Sequence, residues 1–144
     1  MQTVKEIMST ELITIMLNED IIEAATAMKE QDIGLIPVVD QQNKCIGVVT
    51  DRDIVIRGIA EKKSISLKVE DIISNNIISV NPDTDVQQVT ELMAKEQVRR
   101  LPVIENDQIV GIVSMADLAN ETSKQKAGEA ISGISRPTDK HSQG

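Results

Sequence analysis

Two hydroxyl–carboxylate pairs stand at the same spacing in this chain. Thr50 is followed three positions later by Asp53, within GVVTDRDI (47–54), and Ser114 by Asp117, within GIVSMADL (111–118). Each pair follows a Gly-led apolar run, the pattern of a strand that stops where a helix starts. Two chemistries fit. In the local one, the hydroxyl accepts from an amide further on, the carboxylate reaches back to the first residue's amide, and the pair only caps a helix. In the other, the helix start favours a phosphate through its unpaired amides and partial positive charge. The hydroxyl bonds that phosphate, and the carboxylate accepts from two adjacent hydroxyls such as a ribose 2′,3′-diol. Those contacts suit a nucleoside phosphate. A single copy of the spacing is weak evidence for it; two copies at matching places are stronger.

No catalytic set competes with these pairs. The chain has one cysteine, Cys45, and one histidine, His141. Cys45 lies in an apolar strand pattern and reads as a small core residue, and no disulfide can form within the chain. No spacing suits a zinc site, and neither a Walker loop nor GxGxxG is present. We therefore expect no enzyme activity, no metal site and no obligatory cofactor.

Composition narrows the partners. The 144 residues carry a formal net charge of −8 and contain no Phe, Tyr or Trp. The acidic balance argues against a general nucleic-acid or anionic-membrane binder. Without aromatic rings no base can be stacked on one, so a purine would lie between aliphatic side chains and backbone. The arginines Arg52, Arg99 and Arg100 still leave room for a local basic pocket, and a nucleic-acid binder is kept as an alternative. No signal-like leader and no membrane-length apolar run is seen, which predicts a cytoplasmic protein.

The elements that must position these residues come as a repeat. At an offset of 65, Val4 falls on Val69, Ser9 on Ser74, Asp20 on Asp85, Met28 on Met93 and Pro37 on Pro102; after one dropped residue, Gly47 meets Gly111 and Asp53 meets Asp117. Each copy predicts a strand (LITIM, NIISV) and a polar break. An amphipathic helix follows, with Ile21, Ala24, Ala25 and Met28 on one face, or Val86, Val89, Leu92 and Met93. Two strands around a polar turn and a helix from Asp51 or Met115 complete the copy. The order is β-α-β-β-α, twice, in an α/β (α+β) fold. A unit of about 60 residues hides its sheet poorly, so the two copies are expected to pack sheet to sheet with approximate twofold symmetry. The expected divisions are 1–60, a linker over 61–68, 69–120, and a polar tail over 121–144 in which 127–134 fits a short helix. Pro37 and Pro102 are expected at strand starts, and Gly47 and Gly111 where backbones approach or a bulge forms.

In IMSTELITI and IISNNIISV, IPVVD and RRLPVIE, GVVTDRDI and GIVSMADL, the chain resembles a tandem pair of CBS domains, named after cystathionine β-synthase and also called a Bateman module. The resemblance implies a regulatory module that binds an adenosyl ligand, such as AMP, ADP or ATP, in crossed clefts. One cleft would use Ser9, Ile13, Thr14, Gly34 and Leu35 with Ser114 and Asp117. The other would use Ile78, Ser79, Arg99 and Arg100 with Thr50, Arg52 and Asp53, and its arginines predict the stronger hold on phosphate. It also implies a homodimer joined through helix faces, and a separate regulated protein. A ligand-free structural or dimerisation module is the competing reading.

Overall fold

The structure is a computed structural model that describes residues 2–61 and 67–121; the middle of the expected linker, the proposed helix over 127–134 and His141 lie outside the described residues. Copy one contains α1 (Ile21–Gln31), β1 (Leu35–Val39), β2 (Cys45–Thr50) and α2, which runs as an α-turn over Asp51–Asp53 and continues as a π-helix over Ile54–Ala60. Copy two contains α3 (Val86–Glu96), β3 (Arg100–Glu105), β4 (Gln108–Ser114) and α4 (115–121).

The helices form where the apolar period predicts. Ile21, Ala24 and Met28 of α1 are buried, as are Val89 and Met93 of α3, while Ala25, Val86 and Leu92 are half-buried. Both helices stop in the same way. Asp32 and Gln97 take left-handed backbone (φ 55° and 57°), and their amides return to the carbonyls of Met28 and Met93. That turn releases each chain into its hairpin. β1 pairs antiparallel with β2, and β3 with β4, as two small sheets. Each hairpin has a bulge, between Val38 and Val39 and between Val103 and Ile104, opposite Gly47 and Gly111.

The opening segments depart from the expected continuous strands. LITIM and NIISV make isolated bridges instead of strands. The physical reason is a change of partner. Ser9 pairs with Ile112 of copy two, and six residues later Ile15 pairs with Val38 of its own copy. The other half mirrors this: Ser74 pairs with Val48 of copy one, and Val80 with Val103. The copies therefore exchange their first residues. Val69 and Ile72 are buried in the core that holds Ile21, Ala24, Ile36 and Val49, and Val4 in the core that holds Val89, Leu101 and Val113. The exchange also fills helix starts, whose first amides have no partner in their own helix. The Ile21 amide donates to the Leu67 carbonyl, and the Val86 amide to the Gln2 carbonyl, each at 3.0 Å. Asp20 meets Lys68 at 2.7 Å beside the first of these crossings. A third cluster, buried Val39, Cys45 and Ile109, joins the two hairpins near their turns, where the Cys45 amide donates to the Asp107 carbonyl.

Glycine is required where the exchanged segments cross the hairpins. A Cβ on Gly47 would stand 2.5 Å from Ile73 Cδ1 and 2.7 Å from the Ser74 carbonyl; one on Gly111 would stand 2.5 Å from Met8 Sδ. The Ser74 contact is backbone, so the strand itself must move. Gly47→Ala is expected to cost about 1–3 kcal/mol of stability, read as a lowered urea midpoint at an unchanged slope.

Candidate functional site

Both hydroxyl–carboxylate pairs form reciprocal caps. The Asp53 amide donates to Thr50 Oγ1 at 3.0 Å, and the Thr50 amide donates to Asp53 Oδ2 at 2.9 Å. The Asp117 amide donates to Ser114 Oγ at 3.1 Å, and the Ser114 amide to Asp117 Oδ2 at 2.9 Å. The local chemistry is thus present, and it leaves capacity for the other. Each hydroxyl accepts in the cap and keeps its own hydrogen to donate; each carboxylate keeps its second oxygen. Capping fixes the orientation that recognition would need. The two second oxygens differ: Asp53 Oδ1 lies 3.9 Å from Arg57 Nε, whereas Asp117 makes no ion pair among the described residues.

The residues before each proline lie beside the cap of their own copy. Leu35 is the strand partner of Thr50, and the Gly34 carbonyl accepts from the Asp51 amide at 3.0 Å. Arg100 is the partner of Ser114, and the Arg99 carbonyl accepts from the Met115 amide at 2.8 Å. Gly34 allows the Asp51 carboxylate to come close, since a Cβ there would stand 3.2 Å from Asp51 Oδ2. Arg52 and Arg99 are exposed and Arg100 half-buried; none of the three forms an ion pair among the described residues. Three unpaired guanidinium groups in so acidic a chain are free to meet an anion.

Of the two groups of residues, the opening segments carry the crossing. Ser9 joins β4 two residues before Ser114. Its counterpart Ser74, which joins β2 two residues before Thr50, was absent from the candidates although the offset of 65 maps one serine onto the other. The prolines are the third residues of β1 and β3, not the first, and their nitrogens face the opening segments. Ile15 donates to the Pro37 carbonyl and accepts from the Val39 amide; Val80 does the same with Pro102 and Ile104. The next rung of such a parallel ladder would be donated by the proline nitrogen, which has no hydrogen. The ladder ends there. The carbonyls of Ile13 and Ile78 receive no backbone bond among the described residues. Thr14 is exposed. Ser79 lines a cavity of about 580 Å³ with Asn81, Thr84, Gln88 and Leu92, and no other candidate residue reaches it.

Burial pushes the Cys45 thiol up, which suits a core residue and not a nucleophile. On the first turn of α1, loss of hydration, then the hydrogen bond and charge of Glu19 and the charge of Asp20, hold Glu23 above its usual range. The folded chain therefore binds that proton more tightly than the unfolded one. The associated stabilisation is present at low pH and is lost as pH rises through the folded value. Glu23→Gln should give a small rise in melting temperature at pH 7 that fades as the pH is lowered below the ordinary glutamate range. Among the described residues no three His, Cys, Asp or Glu side chains come together as a metal site, and no helix is long and apolar enough to cross a membrane.

Comparison with known proteins agrees with two copies of one unit. The CBS domain model matches residues 4–58 and 69–124. Protein YlbB of Bacillus subtilis is 42% identical over 137 residues, covering 94% of this chain and 93% of its own. Hypoxic response protein 1 of Mycobacterium tuberculosis is 31% identical over 138 residues, covering 95% and 96%. A crystal structure of Hypoxic Response Protein I with two coordinated zinc ions aligns at TM-score 0.75 and 34% identity, over 84% of this chain and 99% of that one. The CBS domain pair of protein MJ0100, in complex with 5-methylthioadenosine and S-adenosyl-L-methionine, aligns at TM-score 0.75 and 31% identity, over 86% and 98%. With both halves matched and relatives aligned along nearly its whole length, this chain belongs to the CBS domain family as a tandem pair.

Proposed function

We propose that the chain is a non-catalytic regulatory module that binds an adenosyl ligand, with AMP, ADP and ATP as the first compounds to try. The observation that carries this reading is the pair of caps, each leaving a donor hydroxyl and an acceptor carboxylate oxygen at a helix start. The hydroxyl takes the phosphate, or another polar group in its place, and the carboxylate takes the ribose diol. The unbonded carbonyls of Ile13 and Ile78 are acceptors for the amino group of a purine, a contact available without any aromatic ring. Each site draws the residues beside the cap from its own copy and the crossing serine from the other, in place of the crossed grouping expected from the sequence: Ile13, Thr14, Gly34 and Leu35 with Thr50, Arg52, Asp53 and Ser74, and Ile78, Ser79, Arg99 and Arg100 with Ser114, Asp117 and Ser9. The solved relative with two adenosyl compounds supports the ligand class. Calorimetric titration with AMP, ADP, ATP, 5-methylthioadenosine and S-adenosylmethionine tests it, together with the melting shift that any ligand selective for the folded state must produce. Absence of both responses with all five compounds would leave the structural-module reading.

The module acts as a homodimer on a separate partner protein. Ile22 of α1 and Val55 and Ile59 of α2 are each at least half exposed, on helices that meet through Ile21 and Gly58. The equivalent positions of copy two hold Gln87 and Ala119. The apolar face therefore belongs to copy one, and a twofold dimer through it pairs copy one with copy one. Ile22→Glu combined with Val55→Glu should yield a monomer in sedimentation velocity. An unchanged sedimentation coefficient would place the dimer contact elsewhere.

A further inference from the structure

Arg57 reaches in two directions. Its Nε stands 3.9 Å from Asp53 Oδ1, the carboxylate oxygen that the cap leaves over. Its Nη1 donates to the carbonyls of Ile72 and Ile73, at 3.3 and 3.1 Å. Those two carbonyls belong to the segment that copy two sends across β2, directly before the Ser74 bridge to Val48. The helix leaves α for π geometry directly after Asp53, a change that recurs at functional sites. One guanidinium thus ties the free carboxylate oxygen of copy one to the crossing backbone of copy two. The repeat places Glu121 at the equivalent position of copy two, four residues after Asp117. A carboxylate can donate to neither group, and it repels where Arg57 attracts.

We infer that Arg57 is a positioning residue that orients Asp53 toward the ligand and couples occupancy of the Asp53 site to the crossing of the two copies. The Asp117 site lacks this coupling. The inference rests on the proposed adenosyl site, and a part of it is measurable without any ligand. Arg57 holds two crossing carbonyls and is the only basic side chain within hydrogen-bond or ion-pair range of Asp53 among the described residues. A ligand diol on Asp53 Oδ1 adds a fixed neighbour to that carboxylate, restrains the guanidinium, and through it stiffens residues 72–74.

The test uses the full chain. Amide exchange by NMR is read at Ser74, which donates to Val48, and at Ser9, which donates to Ile112. Without ligand, Arg57→Gln should speed exchange at Ser74 about tenfold and leave Ser9 unchanged. In an Asp117→Ala background, the same change should weaken ATP or S-adenosylmethionine binding about three- to tenfold, because the pair is partly exposed. In an Asp53→Ala background, Glu121→Arg should tighten the remaining site about threefold, a gain that a purely structural role would not produce. Wild-type exchange rates at Ser74 in Arg57→Gln overturn the inference. So does faster exchange with unchanged affinity, which leaves Arg57 a structural tie. A wild-type chain that binds none of the probes overturns the proposed function instead, and the brace then stands or falls on exchange alone.

Discussion

Asp53→Ala is expected to remove most adenosyl binding, by about ten- to a hundredfold, the worth of a hydrogen bond to a charged group. Asp117→Ala should cost less. Two features favour the Asp53 site: Arg52 on its own helix start and Arg57 beside the carboxylate. The Asp117 site has Arg99 and Arg100 beside its cap but Glu121, a repelling carboxylate, after Asp117. Asp53 also holds the Thr50 amide, so the alanine variant loses half of a cap. Asp53→Asn separates the effects, because an amide oxygen can still accept from Thr50 while the charge is gone. Calorimetric titration of all three variants beside their melting curves decides the matter. A larger loss in Asp117→Ala than in Asp53→Ala would reverse the assignment of the strong site.

Val69→Asp is expected to unfold copy one, although Val69 lies in the sequence of copy two. The side chain is fully buried among Ile21, Ala24, Ile36 and Val49, the core built by α1, β1 and β2. A carboxylate there has no partner, and the cost of burying it is several kcal/mol, a large share of the stability of a domain this size. Val69→Ala gives the graded form of the test, at about 2–3 kcal/mol for two lost methyl groups and the cavity they leave. Amide exchange locates the damage: α1 should lose protection before α3 does. The mirror variant Val4→Asp should strike α3 first, because Val4 packs with Val89, Met93 and Leu101. Loss of α3 protection in Val69→Asp with α1 intact would contradict the exchange of segments.

These two experiments probe one arrangement from opposite ends. Asp53 reports whether the caps bind, and Val69 reports whether the copies are interlocked. A module whose halves share their cores cannot open one half without disturbing the other. α2 carries Asp53 at its start and Val55 and Ile59 on its exposed side, so one helix joins the cap to the exposed apolar face. Hinge-like separation of the two copies would break both shared cores.

Much of this was legible in the order of residues. The offset of 65 showed the duplication, because identical packing demands recur at identical places. The apolar period placed α1 and α3, and the Thr50–Asp53 and Ser114–Asp117 spacing placed two helix starts, because capping and amphipathicity act within a few residues. Other features depended on contacts between residues far apart in the chain. The sequence marked Ser9 and Ser74 as equivalent, but only the fold shows each of them on the other copy's hairpin. The sequence pattern puts the prolines at strand starts, yet their missing hydrogens end the ladders at Ile15 and Val80, and the Ile13 and Ile78 carbonyls receive no backbone bond among the described residues. Arg57 looked like any helix cation until Asp53 and the Ile72 and Ile73 carbonyls stood on its two sides. Local rules of propensity and capping are written residue by residue; which backbone meets which is decided only when both cores close at once.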